Sequence, residues 1–263
     1  MMKLGLAAAI ATVLCLPCSA ADMSWAKQPH IRVEYIYGAD ETLPSGCWSS
    51  VWWLENVGCT VVFVGEDVFL TSRHCIDNKA NQYDLQAMEP YSFEFGSYQT
   101  SSRWKCHRLE DNVLDVGVCL RESGDPSPEC YETVDLDTDN IKEKRRVYAV
   151  GASYFSHDDG AIRRGVDASW LTVDGVDFDQ SNLVLASKGG ACRGDSGGPI
   201  LTKHSSARKL VALIHKGGCE KTGFVVTALS GKKVSEYLTG WSAVNKVGIC
   251  GINWSSDKCV TTW

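Results

Sequence analysis

The 263-residue sequence has no run of lysines and arginines, and its 26 basic residues are outnumbered by 32 acidic ones. A net charge of −6 without a basic stripe excludes nucleic-acid binding as the primary function. Proline is scarce at 7 and no fixed period recurs, which excludes collagen-like, low-complexity and repeat architectures. Beyond residue 20 there is no C-x-x-C pair, so a cysteine metal site has no ligand spacing to build on. No apolar run reaches the roughly 18 residues of a membrane-crossing helix. Asp135, Asp137 and Asp139 alternate but lack the glycine and distant glutamate of a calcium loop, and they read as a solvated acidic linker.

What is present is an ordinary globular composition, with 44% apolar and 22% charged residues. Met1-Met2-Lys3 gives a positive start, Leu4 to Leu16 an apolar run, and Pro17-Cys18-Ser19-Ala20-Ala21 a small-residue end. That pattern predicts a secretory signal peptide over residues 1–20 and a soluble, exported (extracellular or periplasmic) mature protein with no membrane attachment. Cys15 and Cys18 leave with the signal, and ten of the 12 cysteines remain. An even number in an exported chain predicts up to five disulfides.

Short apolar runs recur between turn residues: Thr60 to Val64, Val68 to Thr71, Tyr91 to Tyr98, Val113 to Leu120, Val147 to Val150, Trp170 to Val173, Leu183 to Ala186, Leu210 to Ile214 and Phe224 to Leu229. Many short strands at this spacing predict an all-β sandwich or barrel. A helix is predicted over Lys232 to Trp241. The acidic, turn-rich stretch Glu122 to Glu143 connects two halves of about 100 residues, a common domain size.

Three segments carry chemistry. Phe69 to Cys75 is an apolar strand ending in His74 beside Cys75. Leu114 to Leu120 opens a buried strand with Asp115. Gly189 to Pro199 surrounds Ser196 with glycine. A serine hydroxyl is a poor nucleophile until a base removes its proton, and the base needs an acid to fix its tautomer. Glycines beside the serine let backbone N–H groups approach a substrate carbonyl.

Together these segments resemble the chymotrypsin-like (trypsin-like) serine protease family. Gly194-Asp195-Ser196-Gly197-Gly198-Pro199 matches the family's nucleophile motif at every position. Thr71-Ser72-Arg73-His74-Cys75 resembles T-A-A-H-C, and Asp115-Val116-Gly117-Val118 resembles D-I-A-L. The order His, Asp, Ser is the family's order, and the resemblance covers roughly Ile36 to Trp241 with short loops. Gly194-x-Ser196-x-Gly198 also fits the elbow of α/β-hydrolases, but that fold needs an acid and then a histidine after the serine. No Asp or Glu lies between Ser196 and His215.

The resemblance implies two six-stranded antiparallel β-barrels over residues 36–241, a C-terminal helix, and a site at the barrel interface. It implies a secreted serine endopeptidase acting on protein or peptide substrates through an acyl-enzyme, with no metal or organic cofactor. Ser196 would be the nucleophile, His74 the general base and Asp115 its orienting acid, with Asp111 the competing acid. The N–H groups of Gly194 and Ser196 would form the oxyanion hole. Cys59–Cys75 and Cys192–Cys219 match two family disulfides.

Residues 21–35 would be a propeptide removed by an activating protease, freeing Ile36 to meet Asp195; Ile36 as an ordinary strand residue is the alternative. Gly190, His215 and Lys216 fall at the substrate pocket, and without a carboxylate at Gly190 the pocket cannot favour Arg or Lys. Counting back from Cys219 puts Ile214 where the family has the serine that supports the catalytic acid, and Arg73 replaces a small residue. These departures leave a second reading, a catalytically silent homologue acting as a secreted binding module.

Residues 242–263 form a tail outside the family core, in which Cys250 and Cys259 are near enough in sequence to close a loop. Cys106–Cys119 and Cys47–Cys130 are then one choice among the fifteen connectivities open to six cysteines, and the pairing stays open.

Overall fold

The computed structural model describes residues 47–54, 57–76, 82–88, 95–111, 114–124, 128–137, 145–156, 162–177, 182–186, 191–192, 194–204, 207–217 and 224–263. The predicted signal peptide, the predicted propeptide and Ile36 lie outside them, as do Gly190 and Cys219.

Strands β1 (Val51–Leu54), β2 (Cys59–Gly65), β3 (Val68–Thr71), β4 (Gln82–Met88), β5 (Phe95–Arg108) and β6 (Gly117–Ser123) close into an antiparallel barrel in the order β1-β2-β3-β6-β5-β4. After β7 (Tyr131–Glu132), strands β8 (Arg146–Ser156), β9 (Ile162–Asp177), β10 (Asn182–Ala186), β11 (Pro199–His204), β12 (Ala207–Lys216) and β13 (Phe224–Ala228) close a second, in the order β10-β13-β12-β11-β8-β9. Helix α1 (Lys232–Asn245) and β14 (Cys259–Val260), parallel to β7, complete the described elements. The all-β, trypsin-like expectation holds.

The first barrel forms around aromatic rings. Phe63 stands edge-on to Trp52, Phe69 and Trp104 at centroid distances of 5.5, 5.9 and 5.8 Å. Edge-to-face rings add to burial, which alone contributes about 1.5–3 kcal/mol for a large apolar side chain. Val147, Val173, Ile200, Val211 and Ile214 cluster in the second barrel. A third cluster takes Val62, Leu70 and Val118 from the first barrel, Val150, Leu201 and Leu213 from the second, and Val234, Leu238 and Trp241 from α1. That shared core fixes one barrel on the other, and with it the site between them.

Helix α1 outruns its predicted end at Trp241 by four residues. Its buried residues Val234, Leu238, Trp241 and Ser242 recur at helical spacing, and Lys246 ends it in the left-handed region (φ 55°). The disulfides are Cys47–Cys130, Cys59–Cys75, Cys106–Cys119 and Cys250–Cys259. Cys192 is also disulfide-bonded, and Cys219, its expected partner, lies outside the described residues.

Within the linker between the barrels Asp137 is exposed, but the segment before it is enclosed. Cys130 to Val134 are buried, and Glu132 is fully enclosed. Its carboxylate accepts hydrogen bonds from Ser50 Oγ (2.7 Å) and from Arg208 Nε (3.1 Å) and Nη2. The tail docks on the same seam. Lys258 O accepts from Tyr131 N–H, Cys250 O from Val134 N–H, and Thr261 O from Arg208 N–H. Arg208 stacks over Trp48 with 3.8 Å to the ring centroid, and Trp263 lies 5.4 Å from the same guanidinium.

Candidate active site

β3 ends at Thr71, and after Ser72 a single 3-10 turn, Arg73–Cys75, carries His74. The turn is closed by Cys75 N–H donating to Ser72 O (3.0 Å) and anchored by Cys59–Cys75. His74 is thereby presented half-exposed at the end of a rigid strand. Asp115 precedes β6 by two residues and is buried, 2% exposed.

The two side chains meet at two points. His74 Nδ1 is 2.6 Å from Asp115 Oδ2, and His74 backbone N–H donates to Asp115 Oδ1 at 3.0 Å. A carboxylate on Nδ1 selects the tautomer with its proton there, which leaves the Nε2 lone pair to accept a proton. Burial works to raise the Asp115 carboxyl. The His74 hydrogen bonds and the nearby His74 and His215 imidazoles outweigh it and hold the carboxyl below its ordinary value.

Asp111, the competing acid, is engaged elsewhere. Its carboxylate takes Lys233 Nζ at 2.8 Å and Leu114 N–H at 3.2 Å, and its carbonyl takes Arg73 Nη1. Arg73, which replaces a small residue of the motif, lies along the edge of the site with Nε 4.0 Å from Asp115 Oδ1.

The glycine-rich loop brings Ser196 to the same place. Thr60 of β2 donates its N–H to Ser196 O and its Oγ1–H to Gly194 O, both at 2.8 Å. Gly197 has φ 84°, and a Cβ there would lie 2.2 Å from Thr60 O and from Thr71 Oγ1. No other residue fits that position. The loop's hydrogen bonds engage the N–H groups of Asp195, Gly197 and Gly198. Those of Gly194 and Ser196 make none among the described residues.

Asp195 is fully buried, with Oδ2 accepting Cys192 N–H at 2.7 Å. Its carboxylate lies against Gly151, where a Cβ would come within 2.2 Å of Oδ1. Ser196 Oγ donates to His215 O at 3.3 Å, not to His74 among the described residues.

Two of the three residues expected at the substrate pocket, His215 and Lys216, are among the described residues. Gly190 lies outside the described residues, and Lys216 is exposed. His215, expected in the pocket wall, turns its ring to the acid, with Nε2 3.6 Å from Asp115 Oδ2. Ile214, which counting placed opposite Asp115, is instead buried in the second barrel, and its carbonyl accepts from Ser72 Oγ (2.7 Å) and Gly197 N–H (2.8 Å). The cause is a shift in strand register. Ile214 pairs with Val226 and Lys216 with Val225, so His215 is the extra residue of a bulge. A count from Cys219 has no signal for that bulge.

Cys59, His74 and Cys75 bring three potential metal ligands within 4.8 Å. Both cysteines are disulfide-bonded, so the thiolates a metal needs are absent.

A family model described as Trypsin matches residues 38–234. No curated protein matches the chain.

Proposed function

This chain belongs to the trypsin family of serine proteases, and on that premise we propose that it is a secreted endopeptidase cleaving peptide bonds with Ser196, His74 and Asp115. The observation that carries the proposal is the two-point hold of Asp115 on His74, beside a serine in a loop whose N–H groups at Gly194 and Ser196 make no hydrogen bond among the described residues.

In the proposed reaction Ser196 Oγ attacks the peptide carbonyl carbon while His74 Nε2 takes the hydroxyl proton. Asp115 stabilises the imidazolium that forms. The carbonyl oxygen becomes an oxyanion and accepts hydrogen bonds from Gly194 and Ser196 N–H, where losing one donor costs about 100- to 1,000-fold in rate. Collapse breaks the C–N bond, His74 gives its proton to the leaving amine, and the acyl group remains as an ester on Ser196. Water, deprotonated by His74, releases it by the same steps in reverse.

The sequence has glycine at position 190, where a carboxylate would pair with Arg or Lys, so the proposed specificity lies elsewhere. Export follows from the signal pattern and the disulfides, and activation is proposed to follow cleavage after Tyr35.

One observation favours the second reading, a silent binding module: Ser196 Oγ is aimed at His215 O. A serine hydroxyl is re-aimed by one χ1 rotation, and catalytic hydrogen bonds often tighten only when substrate binds. The discriminating experiment is incubation of the mature protein with an activated ester, followed by mass spectrometry of the peptide containing Ser196. An acyl group on Ser196, absent in His74→Ala, supports the protease; an unmodified serine in folded protein with a free Ile36 N-terminus supports the binding module.

A further inference from the structure

Asp115 is flanked by two imidazoles. The oxygen that takes His74 Nδ1 at 2.6 Å also faces His215 Nε2 at 3.6 Å, and the two rings are 6.3 Å apart between centroids. We infer that His215 is a positioning residue of the proposed protease, whose Nε2–H braces the Asp115 carboxylate so that it holds His74 in one orientation. The inference rests on the protease reading only for its consequence on rate; the brace itself is a claim about three side chains.

Two independent features support it. The first is the backbone. A bulge at His215 interrupts the β12–β13 register, and bulges beside active sites re-aim a side chain. Here the bulge turns His215 toward Asp115, while its neighbour Ile214 stays in the barrel core.

The second is the proton inventory of the ring. His215 Nδ1 is buried without a hydrogen-bond partner among the described residues, and Nε2 faces a carboxylate. A lone pair on Nε2 would repel that carboxylate, so the proton belongs on Nε2. At 3.6 Å the contact is electrostatic, and an approach of about half an ångström makes it a hydrogen bond.

The groups facing His215 set its charge. Burial pushes the imidazole below its ordinary value; Asp115 pulls it up, and Lys216, His74 and Arg73 push it down. At neutral pH it is therefore an uncharged donor that leaves the negative charge of Asp115 to His74. On acidification His215 gains a proton and becomes a cation beside the same carboxylate.

The test is the His74 Nδ1–H resonance, read by NMR at neutral pH in the full mature chain carrying Ser196→Ala, which prevents self-cleavage, with His215 present and with His215→Ala or His215→Gln. The resonance is expected to move in His215→Ala, where the brace is lost, and to return most of the way in His215→Gln, which keeps the donor. In parallel, fluorophosphonate labelling of Ser196 is expected to slow by up to about 100-fold in His215→Ala. His215→Gln is expected to recover at least about tenfold of that loss. A His74 Nδ1–H resonance identical in His215→Ala and its parent, or His215→Ala labelling at the wild-type rate, overturns the inference. A resonance that moves in His215→Ala, in a chain whose wild type does not label, keeps the brace and removes the protease reading instead.

Discussion

Thr60 holds Ser196 from the other barrel: its N–H donates to the Ser196 carbonyl and its hydroxyl to the Gly194 carbonyl, each at 2.8 Å. Strand β2 of the first barrel thus sets the position of a loop that belongs to the second. Thr60→Val keeps the shape and removes the hydroxyl, leaving the Gly194 carbonyl without that donor in a buried seam. The expected loss is about 1–3 kcal/mol of stability, read from denaturant midpoints, with slower labelling of Ser196 at temperatures where the variant is fully folded.

Asp115→Asn preserves volume but removes the charge that selects the His74 tautomer. A fall in kcat of about 10⁴-fold is expected with the far-ultraviolet circular dichroism unchanged. Asp111→Asn, by contrast, loosens contacts to Lys233 and Leu114, away from His74. A large loss in Asp111→Asn and a small one in Asp115→Asn would reverse the assignment of the acid.

Gly151→Ala places a methyl group 2.2 Å from Asp195 Oδ1 in a fully buried site. Asp195 must move, and the serine beside it moves too. Because a misplacement of about 1 Å costs up to about 100-fold in rate, acylation of Ser196 is expected to slow by that order while the protein still folds.

Glu132→Leu leaves the Arg208 guanidinium enclosed with its carboxylate removed. Breaking a buried pair from one side costs about 3–5 kcal/mol, whereas replacing both partners with apolar residues is often neutral or better. Urea denaturation of Glu132→Leu and of the double variant Glu132→Leu, Arg208→Met should therefore show a large loss followed by recovery. Equal loss in both would place the stability of the seam in the Trp48 and Trp263 stacking instead.

Stability should also depend on mild acid. His107 and His215 are both lowered, first by burial, with neighbouring cations adding to it. Between their folded values and about 6.5 the unfolded chain binds protons that the folded chain does not. Stability is then complete above about pH 6.5 and declines as pH falls through that window. His107→Gln is expected to flatten the decline, measured as denaturation midpoints from neutral pH to about pH 5.

Much of this was legible in the sequence, and the failures share a cause. β3 was read with its observed bounds because its apolar residues are bracketed by a turn and by Arg73-His74-Cys75. β5, expected over Tyr91 to Tyr98, runs from Phe95 to Arg108 through the polar stretch Thr100-Ser101-Ser102. It is a strand because β4 and β6 pair with it, a partnership that no local pattern records. β1, Val51-Trp52-Trp53-Leu54, went unread since four apolar residues without alternation carry no period. Glu132 looked like one more linker acid, and Arg208, which buries it, is 76 residues away. His74, Asp115 and Ser196 stand out in the sequence because their neighbours form motifs. The approach of His215 to Asp115 is not legible there, because it depends on a bulge.

The most direct test is fluorophosphonate labelling of the mature protein, with its N-terminus sequenced, beside Ser196→Ala and His74→Ala. The account predicts covalent label on Ser196 in the wild type and none in either variant. A folded protein with a free Ile36 N-terminus that takes no label, or that labels equally in His74→Ala, would contradict it.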